Sequence, residues 1–128
     1  MAIQRINPEA LYHVTSVHHL TRHDNTVYIS GMAALDKNRN LVGKDDPEAQ
    51  AEQVIQNVKD ALASVGGDLS HIIKWSIYLT RREDIPIWRT VRSRHLSGDQ
   101  VPAGSLLLIQ GMVDPDFLVY LDAVAILP

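Results

Sequence analysis

Apolar residues at spacings of three and four predict a first helix over residues 47–65. The apolar positions are Ala51, Val54, Ile55, Val58, Ala61, Leu62 and Val65. Asp46 can cap this helix, Pro47 suits its first position, and Gly66 follows its last apolar residue. A second, weaker pattern predicts a helix over residues 85–96. Its face is formed by Ile85, Trp88, Val91, Arg92 and His95.

Strand-like runs occupy the rest of the chain. They cover residues 14–22, 27–31, 71–79, 105–109 and 118–126. His23, Asp24 and Asn25 have turn chemistry, so the first two runs should form a hairpin. Within residues 71–79, one face of the strand is predicted to carry Ile73, Trp75, Ile77 and Leu79. The order β-β-α-β-α-β-β predicts an α+β fold, with both helices on one face of a sheet.

The last two predicted strands are apolar on both faces, so the second face of the sheet should also be covered. Two helices are enough for one face only. Self-association is the natural cover for the other.

Composition narrows the class of protein. The 128 residues are enough for one domain, 1–128, and 45% apolar with 21% charged residues is an ordinary globular balance. The net charge is −3, and the basic residues do not cluster in the sequence. We therefore do not expect the protein to bind nucleic acid. Without cysteine, disulfides and thiolate chemistry are excluded. Residues 2–8 contain no apolar signal-peptide core, and no apolar run is long enough for a membrane span, so we expect a cytoplasmic protein.

Asp122 is the most conspicuous candidate for chemistry. It interrupts an otherwise apolar strand, where an unpaired carboxylate is costly. It therefore needs hydrogen-bond partners, a raised pKa or a cleft that contains water. One interpretation is a carboxylate that orients water or transfers protons in a small-molecule site; the other is a structural carboxylate paired with a base.

The six histidines do not form a metal motif. His18 and His19 are adjacent and would point to opposite faces of a strand, and neither predicted helix contains two histidines four residues apart. We therefore expect no metal.

Three further groups are weaker candidates for binding. Ser30 and Gly31 end a strand at a bend, where ligands often meet the backbone, although on the sequence alone a plain turn is the preferred explanation. Gly104 and Ser105 could form an anion-binding nest or merely begin a strand. The second helix carries Arg89, Arg92 and Arg94, which could bind a carboxylate, although a solvated helix face is the simpler explanation.

Together these segments resemble the Rid family, also called YjgF or L-PSP endoribonuclease. The similarity runs from about residue 27 to residue 125. It is carried by Tyr28-Ile29-Ser30-Gly31, Ala49-Gln50, Val54-Ile55-Gln56-Asn57-Val58-Lys59, Gly66, Ile73-Lys74, Tyr78-Leu79-Thr80, Val101-Pro102-Ala103-Gly104-Ser105 and Leu121-Asp122-Ala123-Val124-Ala125.

The resemblance implies a mixed β-sheet with two helices on one face, similar to chorismate mutase, and a homotrimer with clefts between subunits. It also implies hydrolysis of enamines or imines to a keto acid and ammonia without a cofactor. In that chemistry an arginine binds the substrate carboxylate, and an acidic residue of the last strand positions water.

The residues match that pattern incompletely. Gly104 stands where the family has its arginine, and Asp122 stands where it has glutamate. Ser30, Gly31 and Ser105 match. The usual tyrosine of the first hairpin falls near Val17, beside His18 and His19, and a frequent asparagine of the second helix falls near Arg89. We expect the glycine to enlarge the pocket, with Arg89 or the side chain of His18 or His19 as a substitute anchor.

Three functions are compatible with the sequence. The first is a hydrolase that cleaves the C–N bond of an imine, an enamine or a related small metabolite, with water positioned by Asp122. The second is a non-catalytic trimer that binds a metabolite for regulation. The third, a ribonuclease, is the weakest because a basic face is absent and aromatic residues are few.

Overall fold

The computed structural model describes residues 2–128 and contains one six-stranded sheet with two α-helices. The strands are β1 (Gln4–Ile6), β2 (Leu20–His23), β3 (Thr26–Met32), β4 (Ile72–Leu79), β5 (Ala103–Leu108) and β6 (Val119–Ile126). The helices are α1 (Pro47–Ala63) and α2 (Ile85–His95). Single-turn 3-10 helices cover Leu69–His71, Arg82–Asp84 and Gly98–Gln100.

The sheet is mixed, in the order β1-β2-β3-β6-β4-β5. All neighbouring strands are antiparallel except β4 and β5, which are parallel. A parallel pair requires a crossover, and the chain between these two strands contains α2. The last strand, β6, therefore lies in the middle of the sheet, between β3 and β4.

Both helices pack on one face of this sheet, as the sequence predicts. The buried positions of the central strands include Val27, Ile29, Trp75, Ile77, Leu121 and Ala123. Trp88 of α2 meets Trp75 of β4 edge to face, with ring centroids 5.8 Å apart. The α+β prediction is confirmed.

The predicted helix limits are close to those observed. The side chain of Asp46 accepts a 3.1 Å hydrogen bond from the backbone N–H of Ala49, and Pro47 occupies the first turn. α1 ends at Ala63, two residues before the predicted end. Gly66, with φ of 81°, follows as the chain turns away.

Three details of the strand prediction are wrong. Residues 14–19 form a loop, because their backbone is bound by side chains: Asn7 accepts from the N–H of His19, and Ser30 donates to the carbonyl of His18. The short strand β1 was not expected. In β4 the pairing shifts near residue 73, so Ile72 is buried and Ile73 is exposed.

The face of the sheet opposite the helices carries exposed apolar side chains. Tyr28, Leu107 and Ile126 are all more than 40% exposed there. Cover of this face by self-association stays a prediction. Among residues 2–128, no helix is both long and apolar enough to cross a membrane.

Candidate active site

A β-bulge in β3 lies opposite Asp122 of β6. The pairing between these strands shifts between Ile29 and Met32, so that Ser30 and Gly31 together face a single residue of the partner strand. Bulges of this kind bend a strand and change the direction of its side chains. The bend that the sequence predicts at Ser30 and Gly31 is therefore part of the sheet, directly beside Asp122.

On its other side, Asp122 is paired with Ser76 of β4, and Ser76 is paired with Ser105 of β5. Residues paired in this way carry their side chains on the same face of the sheet. Asp122 therefore lies in a polar row that crosses four strands on the face opposite the helices. Of the residues predicted for the site, this row contains Ser30, Gly31, Ser105 and Asp122.

Tyr78 is the direct partner of Asp122. Its hydroxyl donates a 2.9 Å hydrogen bond to Oδ2 of Asp122. This bond raises the pKa of Tyr78 above its ordinary value, because the neutral phenol is the form that donates; desolvation raises it further. Asp122 therefore has a built-in donor on one oxygen, and its other oxygen, Oδ1, remains for a ligand or water.

The ring of Tyr120 crosses the bulge. A Cβ added to Gly31 would lie 1.9 Å from Cε2 of Tyr120, so the ring occupies space that any other residue would fill. The same ring meets that of Tyr78 with centroids 6.1 Å apart. Burial, and secondarily the charge of Asp122, raise the pKa of Tyr120. The pKa shifts of both phenols beside Asp122 therefore favour the neutral form.

A cleft of about 430 Å³ opens at this point, called here the Asp122 cleft. It is lined by Tyr78, Ile109, Gly111, Met112, Val113, Phe117, Tyr120 and Asp122. Asp122 is its single charged group, and most of the remaining surface is aromatic or aliphatic. Such a combination suits a small organic ligand with one reactive polar centre.

Gln50 of α1 holds the loop that forms one side of the cleft. Its side-chain N–H groups bind the carbonyls of Gly43 and Asp116, and its oxygen accepts from the N–H of Leu118. The Gln50 side chain is fully buried and fully hydrogen-bonded. Because Phe117 stands between two of the bound residues, Gln50 fixes its position in the cleft.

A second cavity, of about 670 Å³, adjoins the first and is called here the Arg39 cavity. The two share Val113, Phe117 and Tyr120. The remaining lining residues of the Arg39 cavity are Tyr12, Val14, Ser16, Val17, His19, Gly31, Ala33, Leu35, Arg39, Asp114 and Pro115. His19 and Gly31, both predicted for the site, are therefore in this second compartment.

Gly104 and Arg89 lie outside both cavities. A Cβ at Gly104 would stand 2.5 Å from the carbonyl oxygen of Trp75 and 2.6 Å from its Cδ1. Trp75 fills the space that a side chain at position 104 would occupy. The expectation that Gly104 enlarges the pocket is therefore wrong for the single chain. Arg89 is exposed on α2 and lines neither cavity.

Three residues of these cavities were not singled out by the sequence: Tyr78, Tyr120 and Arg39. For Tyr120 a signal was present, because it is two positions from Asp122 and shares its face of a strand. Tyr78 alternates with the buried residues of β4, which places it on the same open face. Arg39 is in a loop and carries no comparable signal.

Among residues 2–128, no group of three potential ligands is arranged to hold a metal ion.

Comparison with known proteins agrees with this architecture. Residues 3–127 match the family model described as endoribonuclease L-PSP. A 3-aminoacrylate deaminase, RutC of Acinetobacter baylyi, is 32% identical over 105 residues, which is 82% of each chain.

Solved structures agree as well. RidA from an Antarctic Psychrobacter superposes with a TM-score of 0.86 at 26% identity, over 96% of this chain and 98% of that one. The Rid protein YyfA of Yersinia pestis gives 0.91 at 20% identity, over 98% and 100% of the two chains. Since the family model covers nearly the whole sequence, the chain belongs to the endoribonuclease L-PSP family, which is the Rid (YjgF) family that its sequence resembles.

Proposed function

We propose that this protein hydrolyses the C–N bond of a small imine or enamine to a carbonyl compound and ammonia, with Asp122 as general base. The observation that carries the proposal is the position of Asp122. It is the single charged group of a largely apolar cleft, beside a β-bulge and bound on one oxygen by Tyr78. A carboxylate held in this way can take a proton from water and return it.

An enamine first takes a proton from solvent at its β-carbon and loses one from nitrogen to solvent, which gives the imine. The imine would then be hydrolysed in two steps. In the first, Oδ1 of Asp122 accepts a proton from water as the water oxygen bonds to the imine carbon. The C=N electron pair moves to nitrogen, which takes a proton from solvent. In the second, Asp122 returns its proton to nitrogen as the C–N bond breaks. The hydroxyl loses a proton to solvent, and the carbonyl product and ammonia leave.

Tyr78 is proposed as the residue that positions Asp122. Its hydrogen bond to Oδ2 restricts rotation of the carboxylate, and Oδ1 is the oxygen proposed to bind water. Fixed orientation of a reacting group lowers the entropic part of the barrier. The phenol of Tyr78 is protonated at neutral pH, and its raised pKa extends the pH range of the hydrogen bond upward.

Ser30, Gly31 and Ser105 are proposed to complete substrate binding around Asp122. Ser30 and Gly31 lie beside it in the sheet, in the bulge that interrupts the regular pairing, and Ser105 lies two strands away, beyond Ser76. Within one chain Gly31 lines the Arg39 cavity, whereas Ser30 and Ser105 line neither cavity. We further propose that three chains associate through the open sheet face, with the cleft at their boundary. Light scattering at micromolar concentration should give three times the 14.3 kDa mass of one chain; a monomer would exclude this assembly.

The deaminase activity named for RutC of Acinetobacter baylyi supports the reaction class. At 32% identity the same substrate is not implied. The apolar walls of Phe117, Met112 and Ile109 favour a substrate with a hydrocarbon portion rather than a minimal one.

Ammonia release tests the proposal. Enamines can be generated in situ by a pyridoxal phosphate-dependent dehydratase, and their decay followed with and without this protein. We expect faster ammonia release, greater for substrates with apolar side chains. If binding of the same compounds is seen by calorimetry but no acceleration occurs, the protein is the non-catalytic, regulatory binder that the sequence also allows.

A further inference from the structure

Aromatic rings are concentrated around the carboxylate of Asp122. The whole sequence contains one Phe, two Trp and four Tyr. The single phenylalanine, Phe117, and two of the four tyrosines, Tyr78 and Tyr120, line the Asp122 cleft, whereas both tryptophans pack in the core. A wall that only had to be apolar would need no aromatic residue, so the rings themselves indicate what the cleft binds.

These three rings form the walls of an open space. Tyr78, Phe117 and Tyr120 are each only partly buried, so ring surface remains for a ligand to contact. The planes of the two tyrosine rings meet at 61°, which makes them a corner and not a stack. The volume of about 430 Å³ leaves room for a substituted ammonium group between them.

The rings are held in place by contacts within the chain. Phe117 lies between the two backbone groups that Gln50 binds, and the ring of Tyr120 is wedged against Gly31. The third ring is fixed by the hydrogen bond from its hydroxyl to Asp122. A ligand therefore meets walls that are already arranged, which lowers the entropic cost of binding.

Asp122 has no positively charged partner among the described residues. The ion pairs within residues 2–128 do not include it, and no Lys, Arg or His lines the Asp122 cleft. The group that it does bind, the hydroxyl of Tyr78, is neutral. A carboxylate in a largely apolar cleft is unfavourable unless it is paired, so the cleft favours a ligand that carries the positive charge.

We propose that the Asp122 cleft binds an organic cation, such as an alkylammonium or iminium group, with the aromatic rings as its walls and Asp122 as its counter-ion. The negative face of an aromatic ring attracts a cation, and this attraction is strongest where water is excluded. Several rings around one carboxylate combine both interactions at one point. The inference rests on the proposed function only in taking this cation to be the substrate.

The adjoining Arg39 cavity is a poorer place for the same cation. Its guanidinium, that of Arg39, already lies over the ring of Tyr12, 5.8 Å from the ring centroid. That ring is therefore occupied by a cation of the chain itself, and the positive charge of Arg39 repels a second one. A cation that enters either compartment is directed to the Asp122 side.

A cationic substrate also suits the chemistry proposed for Asp122. An imine bound as its iminium takes its nitrogen proton from solvent before water adds, and the balance of the reaction is otherwise unchanged. As the water oxygen bonds to the carbon, the water proton passes to Asp122 and the C=N electron pair moves to nitrogen. The positive charge of the ligand and the negative charge of the carboxylate disappear together, which an apolar cleft favours.

Choline and 3,3-dimethyl-1-butanol form a matched pair of probes, since they have the same shape and differ in a charged nitrogen against a neutral carbon. Dissociation constants can be measured by NMR titration with the wild-type chain, Asp122→Asn, Phe117→Leu and Asp99→Asn. Asp99 is an exposed carboxylate outside both cavities, so Asp99→Asn is the control for loss of one negative charge.

We expect choline to bind the wild type at least about 10-fold more tightly than the alcohol, because only choline is paired with Asp122. Asp122→Asn should remove most of this difference, and Asp99→Asn should leave it unchanged. Phe117→Leu keeps an apolar side chain without a ring. It should weaken choline binding by about 3-fold or more while the affinity for the alcohol stays nearly constant.

Equal affinity of the wild type for the two probes, or no binding of choline, would overturn the inference. So would a preference for choline that survives both Asp122→Asn and Phe117→Leu. Choline binding that depends on Asp122, without any acceleration of imine or enamine hydrolysis, would contradict only the proposed function. Conversely, hydrolysis that depends on Asp122 and is not inhibited by choline would contradict only the inference.

Discussion

Tyr78 and Asp122 are diagonal neighbours on adjacent antiparallel strands, joined by a hydrogen bond of 2.9 Å. The register pairs Tyr78 with Tyr120 and Asp122 with Ser76, so the phenol reaches across by one pair. Long side chains span such diagonals readily. The only charge in the cleft is thereby oriented by a residue 44 positions away in the sequence.

Replacement of Tyr78 by Phe should lower kcat by about 10-fold, or about 1.4 kcal/mol in activation free energy, while KM changes little. The ring and its packing are kept, and only the hydroxyl that orients Asp122 is removed. Steady-state kinetics of ammonia release measure both constants. A rise in KM at unchanged kcat would show instead that Tyr78 binds substrate.

Tyrosine titration tests the same contact through pH. The folded-state pKa of Tyr78 is raised, so its hydrogen bond contributes stability below the ordinary pKa of about 10 and loses it as pH rises through the higher folded value. In Asp122→Asn the main cause of the shift is removed, and phenolate absorbance should appear at lower pH. Tyr12, whose pKa is raised chiefly by burial, is the internal reference. An unchanged titration curve would contradict the contact.

Gly31→Ala should destabilise the protein by about 1–3 kcal/mol, because the added carbon meets the ring of Tyr120. Urea denaturation measures the loss. In a Tyr120→Leu background, which lacks the ring, Gly31→Ala should lower the free energy of unfolding by a clearly smaller amount. Equal costs in the two backgrounds would mean that the ring does not fill the space beside Gly31.

Gly104→Ala should destabilise by a similar amount, about 1–3 kcal/mol, since its Cβ would meet the backbone and ring of Trp75. Gly111→Ala is the matched control, because nothing lies within 4 Å of a Cβ there. Thermal denaturation of both variants should separate them. If Gly104→Ala is as stable as Gly111→Ala, position 104 has room for a side chain after all.

The sequence predicted those features that local pattern determines. The Asp46 cap, the apolar stripe of α1 and the isolated acid in β6 are visible within a few residues of sequence. The partner of Asp122 is not, because it depends on which strand lies beside β6 and in which register. The last strand inserts between β3 and β4, and no local signal specifies that order.

Loops limited the prediction in a different way. Residues 14–19 have the composition of a strand but form a loop. The side chains of Asn7 and Ser30 form hydrogen bonds with the backbone of His19 and His18, which would otherwise be available for strand pairing. Arg39 acquires its significance only from the cavity that the fold builds around it. A charge in a loop cannot be distinguished from a solvated one until its neighbours are known.

The turnover rate of the Asp122→Asn variant tests most directly whether Asp122 is the general base. The substitution keeps the shape of the side chain and removes its ability to take a proton. Ammonia release from in situ generated enamines should fall by at least about 100-fold, the lower bound for loss of a general base, while the variant stays folded and keeps its oligomeric mass. Turnover at the wild-type rate in a correctly folded Asp122→Asn variant would contradict the role of Asp122.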